Sequence, residues 1–198
     1  HDALIATSLD HWTSFGPTDN GFSIAASTLM NQMIPGRDEQ AWTELSKAWR
    51  LPNLGKATFY WESSHCPVNE SPFGLAAGLQ YMVLRSDTGN INVFPQRVEA
   101  LRNVSFAAMR AEGGFVVSGV LSELKTKWVS IESLLGNECL LLVRDFDDVE
   151  VDPPSIPVEK RGWMESSFLL HVENTCFGSD CRRAIMSSCT LRDPLPPL

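Results

Sequence analysis

Residues 68–95, VNESPFGLAAGLQYMVLRSDTGNINVFP, put a carboxylate, a helix start, an apolar helix, a tight turn and a strand into one continuous stretch. Ser71 is a favoured N-cap type, and Pro72 suits the first helical position, where its missing N–H would have had no partner. From Phe73 to Leu84 the segment is apolar nearly all the way round, interrupted only by Gln80 and Tyr81. That composition predicts a helix over 72–86 that is buried on more than one side. Gly74, Ala76, Ala77 and Gly78 strip side-chain bulk from its first turns, so a second backbone can come close. Asp87-Thr88-Gly89-Asn90 supplies turn chemistry, and Ile91, Val93 and Phe94 begin a strand. Glu70 stands just ahead of the cap, where the positive end of the helix favours a negative charge.

On the N-terminal side, Ala3, Leu4, Ile5 and Leu9 read as the end of a helix, and residues 11–20 (HWTSFGPTDN) as a loop. In residues 21–34, Phe22, Ala25/Ala26, Leu29 and Met33 recur at helical spacing until Pro35-Gly36. Asp38 reads as the cap of a further helix with Ala41, Trp42, Leu45, Ala48 and Trp49 on one face, Glu44 and Lys47 outside, and Pro52 closing it. Two such helices joined by a short turn make an αα-hairpin. Residues 54–67 read as a long irregular connection holding Tyr60, Trp61, Glu62, His65 and Cys66; binding groups often sit in loops of this kind.

From residue 90 onward the apolar period changes to two. Residues 90–95, 104–110, 114–121, 127–132 and 139–144 read as short strands separated by Gly, Asn or charged breaks, the pattern of an antiparallel sandwich. The acidic, proline-rich stretch 145–157 reads as a linker or mobile tail. Residues 164–172 could form one more strand, and the remainder, ending in PLPPL, reads as irregular.

The bulk numbers exclude several classes. With 24 acidic against 16 basic residues the net charge is −8, which argues against nucleic acid and anionic membranes as partners. No apolar run approaches the ~20 residues of a membrane helix. The start, His1-Asp2-Ala3-Leu4, has neither an initiating Met nor a signal pattern and reads as that of a processed product or of the C-terminal part of a longer protein. Five cysteines (Cys66, Cys139, Cys176, Cys181 and Cys189) leave room for one bridge among the last three; a zinc site wants two close-set pairs, so no metal is expected. Asn69-Glu70-Ser71 and Asn103-Val104-Ser105 match the glycosylation sequon, the first weakened by Pro72. No phosphate-cradling glycine loop is present, and no cofactor is expected.

The run ESPFGLAAGLQYMVLRSDTGNINVFP also resembles the junction between barrel and C-terminal β-domain in glycoside hydrolases related to family 95, the α-L-fucosidase-like enzymes. There a barrel helix starts after an acidic residue, ends in a "MLLQS" run and passes through a Gly turn into a strand ending in Pro. The matching residues are Met82-Val83-Leu84-Arg85-Ser86 and Gly89; Arg110 to Ser118 (RAEGGFVVS) is similar to the family's "R-G-G-F-x-V" strand pair. The likeness covers roughly residues 20–145. It implies an α+β chain in which residues 1–86 would hold the last helices of an (α/α)6 barrel and 87–145 a small antiparallel β-sandwich-like domain. Residues 146–198, beyond the likeness, read from their composition as a third part: a linker, a possible strand and a Cys-containing tail. The likeness also implies secretion, a carbohydrate substrate and a missing N-terminal barrel portion as partner.

In such enzymes the acidic residue before the helix is the general acid, which by register is Glu70, although family 95 usually has Asp here, within "IDGNFG". Glycoside hydrolysis uses two carboxyl-type groups flanking the bond. Glu62, or a residue outside this chain, would complete the pair. Trp61 could stack on a sugar ring, with Tyr60 and Trp12 as further candidates, and His65 and Asn69 could bond sugar hydroxyls. The plainer alternatives are that Glu70 only serves the helix dipole and that the aromatics are packing groups. At the level of the whole chain, the alternatives are a non-catalytic carbohydrate-binding or interaction module derived from that fold and an inactive fragment.

Overall fold

The computed structural model describes residues 2–15, 20–51, 60–62, 66–144, 150–152, 158–161, 167–170 and 187–192, with backbone alone at 60–62, at 66 and beyond 144. The fold is α+β, in two compact units: residues 1–82 with 96–98, and 83–95 with 99–198.

The first unit is helical. Helix α1 is Asp2–Phe15, α2 is Gly21–Gln32, and α3 is Asp38–Lys47, extended by a 3-10 turn over Ala48–Arg50. Two short strands, β1 (Tyr60–Glu62) and β2 (Cys66–Val68), then precede α4 (Glu70–Val83).

Four sequence expectations change here. First, α1 runs on to Phe15, over the first half of the stretch expected as a loop, and the Thr13 and Ser14 hydroxyls bond back to the Asp10 and His11 carbonyls at 3.0 and 2.7 Å. Second, α3 has Arg37, not Asp38, at its N-cap, and the Asp38 carboxylate instead accepts from the Arg97 backbone N–H at 2.8 Å. Third, the stretch 54–67 is not wholly irregular, because β1 and β2 pair antiparallel with Trp61 opposite Pro67. Pro52, expected to close α3, lies outside the described residues, as does His65.

The fourth correction concerns which helix faces are inside. The apolar spacing of α2 points to Phe22, Ala25/Ala26, Leu29 and Met33, yet Phe22 and Met33 are exposed. The buried side carries Ile24, Ala25, Ser27, Thr28, Asn31 and Gln32 instead. Likewise α4 buries one stripe only, Ser71, Leu75, Gly78 and Met82, and exposes Phe73 and Leu79. The small residues explain both outcomes. A Cβ on Gly74 would lie 2.9 Å from the Ala25 Cβ, and one on Gly78 would lie 3.0 Å from the Thr28 Cγ2. The two helices meet along their small and polar faces, and Gln32 Nε2 donates to the Gly78 carbonyl at 2.6 Å to seal the contact. In α3 the expected face is half right: Ala41, Leu45 and Ala48 are buried, Trp49 is exposed, and Lys47 pairs with Glu44 at 2.8 Å.

The second unit holds two five-stranded sheets. The strands are β3 (Leu84–Arg85), β4 (Ile91–Val93), β5 (Val104–Ala111), β6 (Phe115–Ser122), β7 (Lys125–Ser133), β8 (Cys139–Val143), β9 (Glu150–Asp152), β10 (Val158–Arg161), β11 (Ser167–Leu170) and β12 (Ser187–Arg192). One sheet has the order β10-β11-β8-β4-β3, the other β5-β6-β7-β12-β9. The core between them is the alternating inner set predicted from the period of two. Leu84, Ile91, Val93, Cys139, Leu141 and Val143 come from the first sheet; Phe115, Val117, Leu121, Val129 and Ile131 come from the second. Phe94, just after β4, completes it with φ of +49° and an edge-on contact to Phe106.

The sandwich is not wholly antiparallel: β4 and β8 run parallel. Between them the chain crosses to the other sheet to form β5–β7, so β8 returns in the direction of β4. The stretch after residue 145 is expected as a linker, one possible strand over 164–172 and an irregular tail; among the described residues it supplies four strands to the two sheets, β11 within that possible strand and β12 between β7 and β9. The turn Asp87–Asn90 is as expected, with Gly89 at φ +78° and Arg85 Nε bonded to Asp87 at 2.6 Å. At the β5 end, Arg102 contacts both Glu99 and Glu123, and these bonds raise its pKa above the ordinary arginine value.

Candidate functional site

The candidate site is built on the join of β2 to α4. Val68 ends β2, Asn69 bridges, and Glu70 is the first residue of the helix, two residues earlier than the Ser71 cap predicts. The Asn69 carbonyl accepts from the Phe73 N–H at 3.1 Å, so the backbone is already helical at Glu70. Pro72 still falls within the first turn, where its missing donor has no consequence. The other end of α4 is also shifted, stopping at Val83 instead of Ser86. Phe94 N donates to the Val83 carbonyl at 2.8 Å, and Leu84 and Arg85 pair with Val93 and Asn92 as strand β3. Helix therefore passes into strand with no loop between.

Glu70 and Asn69 are both exposed. The Glu70 carboxylate accepts from the Asn69 backbone N–H at 3.1 Å, an arrangement that places negative charge at the positive end of α4. Trp61 and Glu62 lie on β1, opposite Pro67 and Cys66 of β2, so the ribbon brings both close in register to the strand that leads into Glu70. His65, expected beside them, is outside the described residues.

Among the described residues, two hollows are lined by other side chains. In the helical unit an apolar groove of about 340 Å³ lies between α1 and α2, lined by Ile5, Leu9, Trp12, Met30, Met33 and Ile34 among others. In the β unit a polar hollow of about 280 Å³ is lined by Asn90, Glu112, Asn137 and Glu138 over a buried floor. Neither includes Glu70 or Asn69. The sequence gives the second hollow no motif, because its residues come from three separate turns and share only turn chemistry.

Among the described residues no group of three or more His, Cys, Asp or Glu side chains could hold a metal ion, and no helix is long and apolar enough to cross a membrane. Cys176 and Cys181, the expected partners for a bridge, lie outside the described residues, while Cys189 is on β12 opposite Ile131. Of the two sequons, Asn103 holds its turn: its Oδ1 accepts from Ser122 Oγ and from the Glu123 N–H, both at 3.0 Å.

No protein-family model matches this chain, and no curated protein matches it either.

Proposed function

We propose that this chain is the C-terminal portion of an (α/α)-barrel glycoside hydrolase of the α-L-fucosidase-like kind, with Glu70 as the general acid of the assembled enzyme. The observation that carries this reading is the α4 junction. A solvent-accessible carboxylate opens the helix, and the helix runs without a loop into β3, the Gly89 turn and β4, in the order seen in the resembling family. The exposed apolar residues of the helical unit add support: Leu4, Ile5, Phe15, Phe22 and Phe73 form the kind of surface that further barrel helices cover. Trp61, Glu62, His65 and Asn69 would line the sugar site near the acid. Such a site needs a second carboxyl-type group and walls that exclude water, so the 198-residue chain is not expected to hydrolyse glycosides alone. Secretion and the carbohydrate substrate belong to the same proposal.

A second reading is favoured by one specific observation. Glu70 is exposed, and its carboxylate bonds to the backbone N–H of Asn69 at the start of α4. That is the arrangement of a dipole-serving carboxylate in a non-catalytic carbohydrate-binding module derived from the same fold. The experiment that separates the two is Glu70→Gln in the full-length protein, assayed on aryl fucosides and galactosides. As general acid, Glu70 contributes roughly 10²–10⁴-fold, so kcat should fall by at least about a hundredfold, and least for aryl leaving groups that need little protonation. A loss below tenfold on all substrates removes Glu70 from the mechanism and leaves the binding module.

A further inference from the structure

The polar hollow of the β unit has the features of a built binding site. Three turns enclose it: Ser86–Asn90 between β3 and β4, Glu112–Gly114 between β5 and β6, and Gly136–Glu138 ahead of β8. These turns are tied to one another. The Glu112 N–H donates to Ser86 Oγ at 3.0 Å, Asn137 Nδ2 donates to the Gly113 carbonyl at 2.9 Å, and the Leu134 N–H donates to the Gly114 carbonyl at 2.8 Å. The walls are therefore fixed before any ligand arrives, which reduces the ordering that binding would otherwise require.

The lining sorts into two layers. Ile91 and Phe115, both buried, form an apolar floor continuous with the sandwich core. Asn90, Glu112, Asn137 and Glu138 make a rim of amides and carboxylates, three of them exposed and Asn90 half-buried. Amides both donate and accept, whereas ionised carboxylates only accept. Such a rim suits a ligand carrying several hydroxyl groups, each able to donate to one neighbour and accept from another. Among the described residues none with a cationic side chain lines the hollow, so phosphate, sulfate and carboxylate ligands would find no counter-charge there and two carboxylates to repel them. At about 280 Å³ the volume lies just under the ~300–1,000 Å³ of small-molecule sites, which limits the occupant to about one ring.

We propose that this hollow binds a single uncharged sugar ring, its hydroxyls on Asn90, Glu112, Asn137 and Glu138 and one C–H face toward Ile91 and Phe115. It is a carbohydrate site on the β unit, separate from the Glu70 junction and independent of whether Glu70 is catalytic. Its residues and Glu70 belong to different units of the fold.

The test is saturation-transfer NMR on the full-length protein with L-fucose, D-galactose and D-glucose in turn. The expected result is saturable binding to at least one of these sugars. That binding is unchanged by Glu70→Gln and at least tenfold weaker in the Glu112→Ala, Asn90→Ala double variant. Glu112 is exposed and its known tie is through its backbone, so the single Glu112→Ala variant supplies the same comparison should the double variant not fold. Absence of saturable binding to all three sugars overturns the proposal. So does sugar binding that leaves the backbone amides of Asn90, Glu112 and Asn137 unshifted, since binding at the Glu70 junction alone would not move them. A calcium ion that perturbs the amides of Asn90 and Glu112 while no sugar does so would replace the sugar with a cation and equally overturn it.

Discussion

Replacing Phe94 with alanine is expected to destabilise the β unit by about 3–5 kcal/mol, the usual loss for a large buried aromatic side chain. Phe94 is fully buried among the residues of both sheets, and its ring meets Phe106 edge-on at 5.3 Å. It also lies over Gly119: a Cβ there would come within 3.1 Å of the Phe94 ring. Deleting the ring therefore leaves a void that Gly119 has no side chain to fill. A companion substitution isolates a second term. Phe94 sits at φ +49°, in the left-handed region where a residue with a Cβ is disfavoured by roughly 1 kcal/mol relative to glycine. Phe94→Gly should accordingly be about 1 kcal/mol less damaging than Phe94→Ala, the reverse of the order expected in a regular strand. Amide hydrogen exchange in β6 and β7 reads the stability of this unit by itself. Equal losses for the two variants would mean that the backbone at this position relaxes, and a loss under about 1 kcal/mol for both would mean that the ring is not a core member.

Gly78→Leu should have the largest effect in the helical unit. Three heavy atoms already lie within 3.8 Å of where its Cβ would sit, the nearest being the Thr28 Cγ2 at 3.0 Å. Overpacking of this kind costs about 1–3 kcal/mol. Moving α4 outward to relieve it would also break the 2.6 Å bond from Gln32 Nε2 to the Gly78 carbonyl, leaving a buried amide without its acceptor at a further ~1–3 kcal/mol. Better helix propensity returns at most about 1 kcal/mol, so a net loss of roughly 3 kcal/mol is expected. Gly78→Ala is a finer probe of the same contact. Alone it should be close to neutral, because the propensity gain offsets the tight Cβ; paired with Thr28→Ser, which removes the crowding methyl, it should stabilise. Exchange protection of the α2 and α4 amides is the measurement. A Gly78→Leu variant as protected as the parent would show that the two helices do not approach as closely as their glycines suggest.

How much of this was legible depended on whether the composition carried a period. Phe115, Val117, Gly119 and Leu121 alternate cleanly with half-buried neighbours, so β6 and its inner face could be read directly. In α4 nearly every position is apolar, and an unbroken apolar run cannot say which stripe is buried. The glycines were the better guide to its contact face. In α2 the apolar period pointed outward, because the buried side carries Ser27, Thr28, Asn31 and Gln32, of which Thr28 and Gln32 meet α4 at Gly78. Strand β12 was missed because SSCTLR has little apolar alternation; it is held by a backbone ladder on both sides. The candidate site was legible as a sequence position, a carboxylate at a helix start. The hollow of the β unit was not, since Asn90, Glu112 and Asn137 come together only when three turns are folded side by side.

The place of β12 bears on how the molecule can be made. Last in chain order among the described strands, it does not close the rim of its sheet but fills a slot between β7 and β9. Until it arrives, β7 offers bare amides and carbonyls along its length, open to capture by any extended polypeptide nearby. Premature termination ahead of Ser187 would therefore remove the interior of a sheet and strand β9 with it, and such shortened products should be insoluble, not merely a few residues smaller.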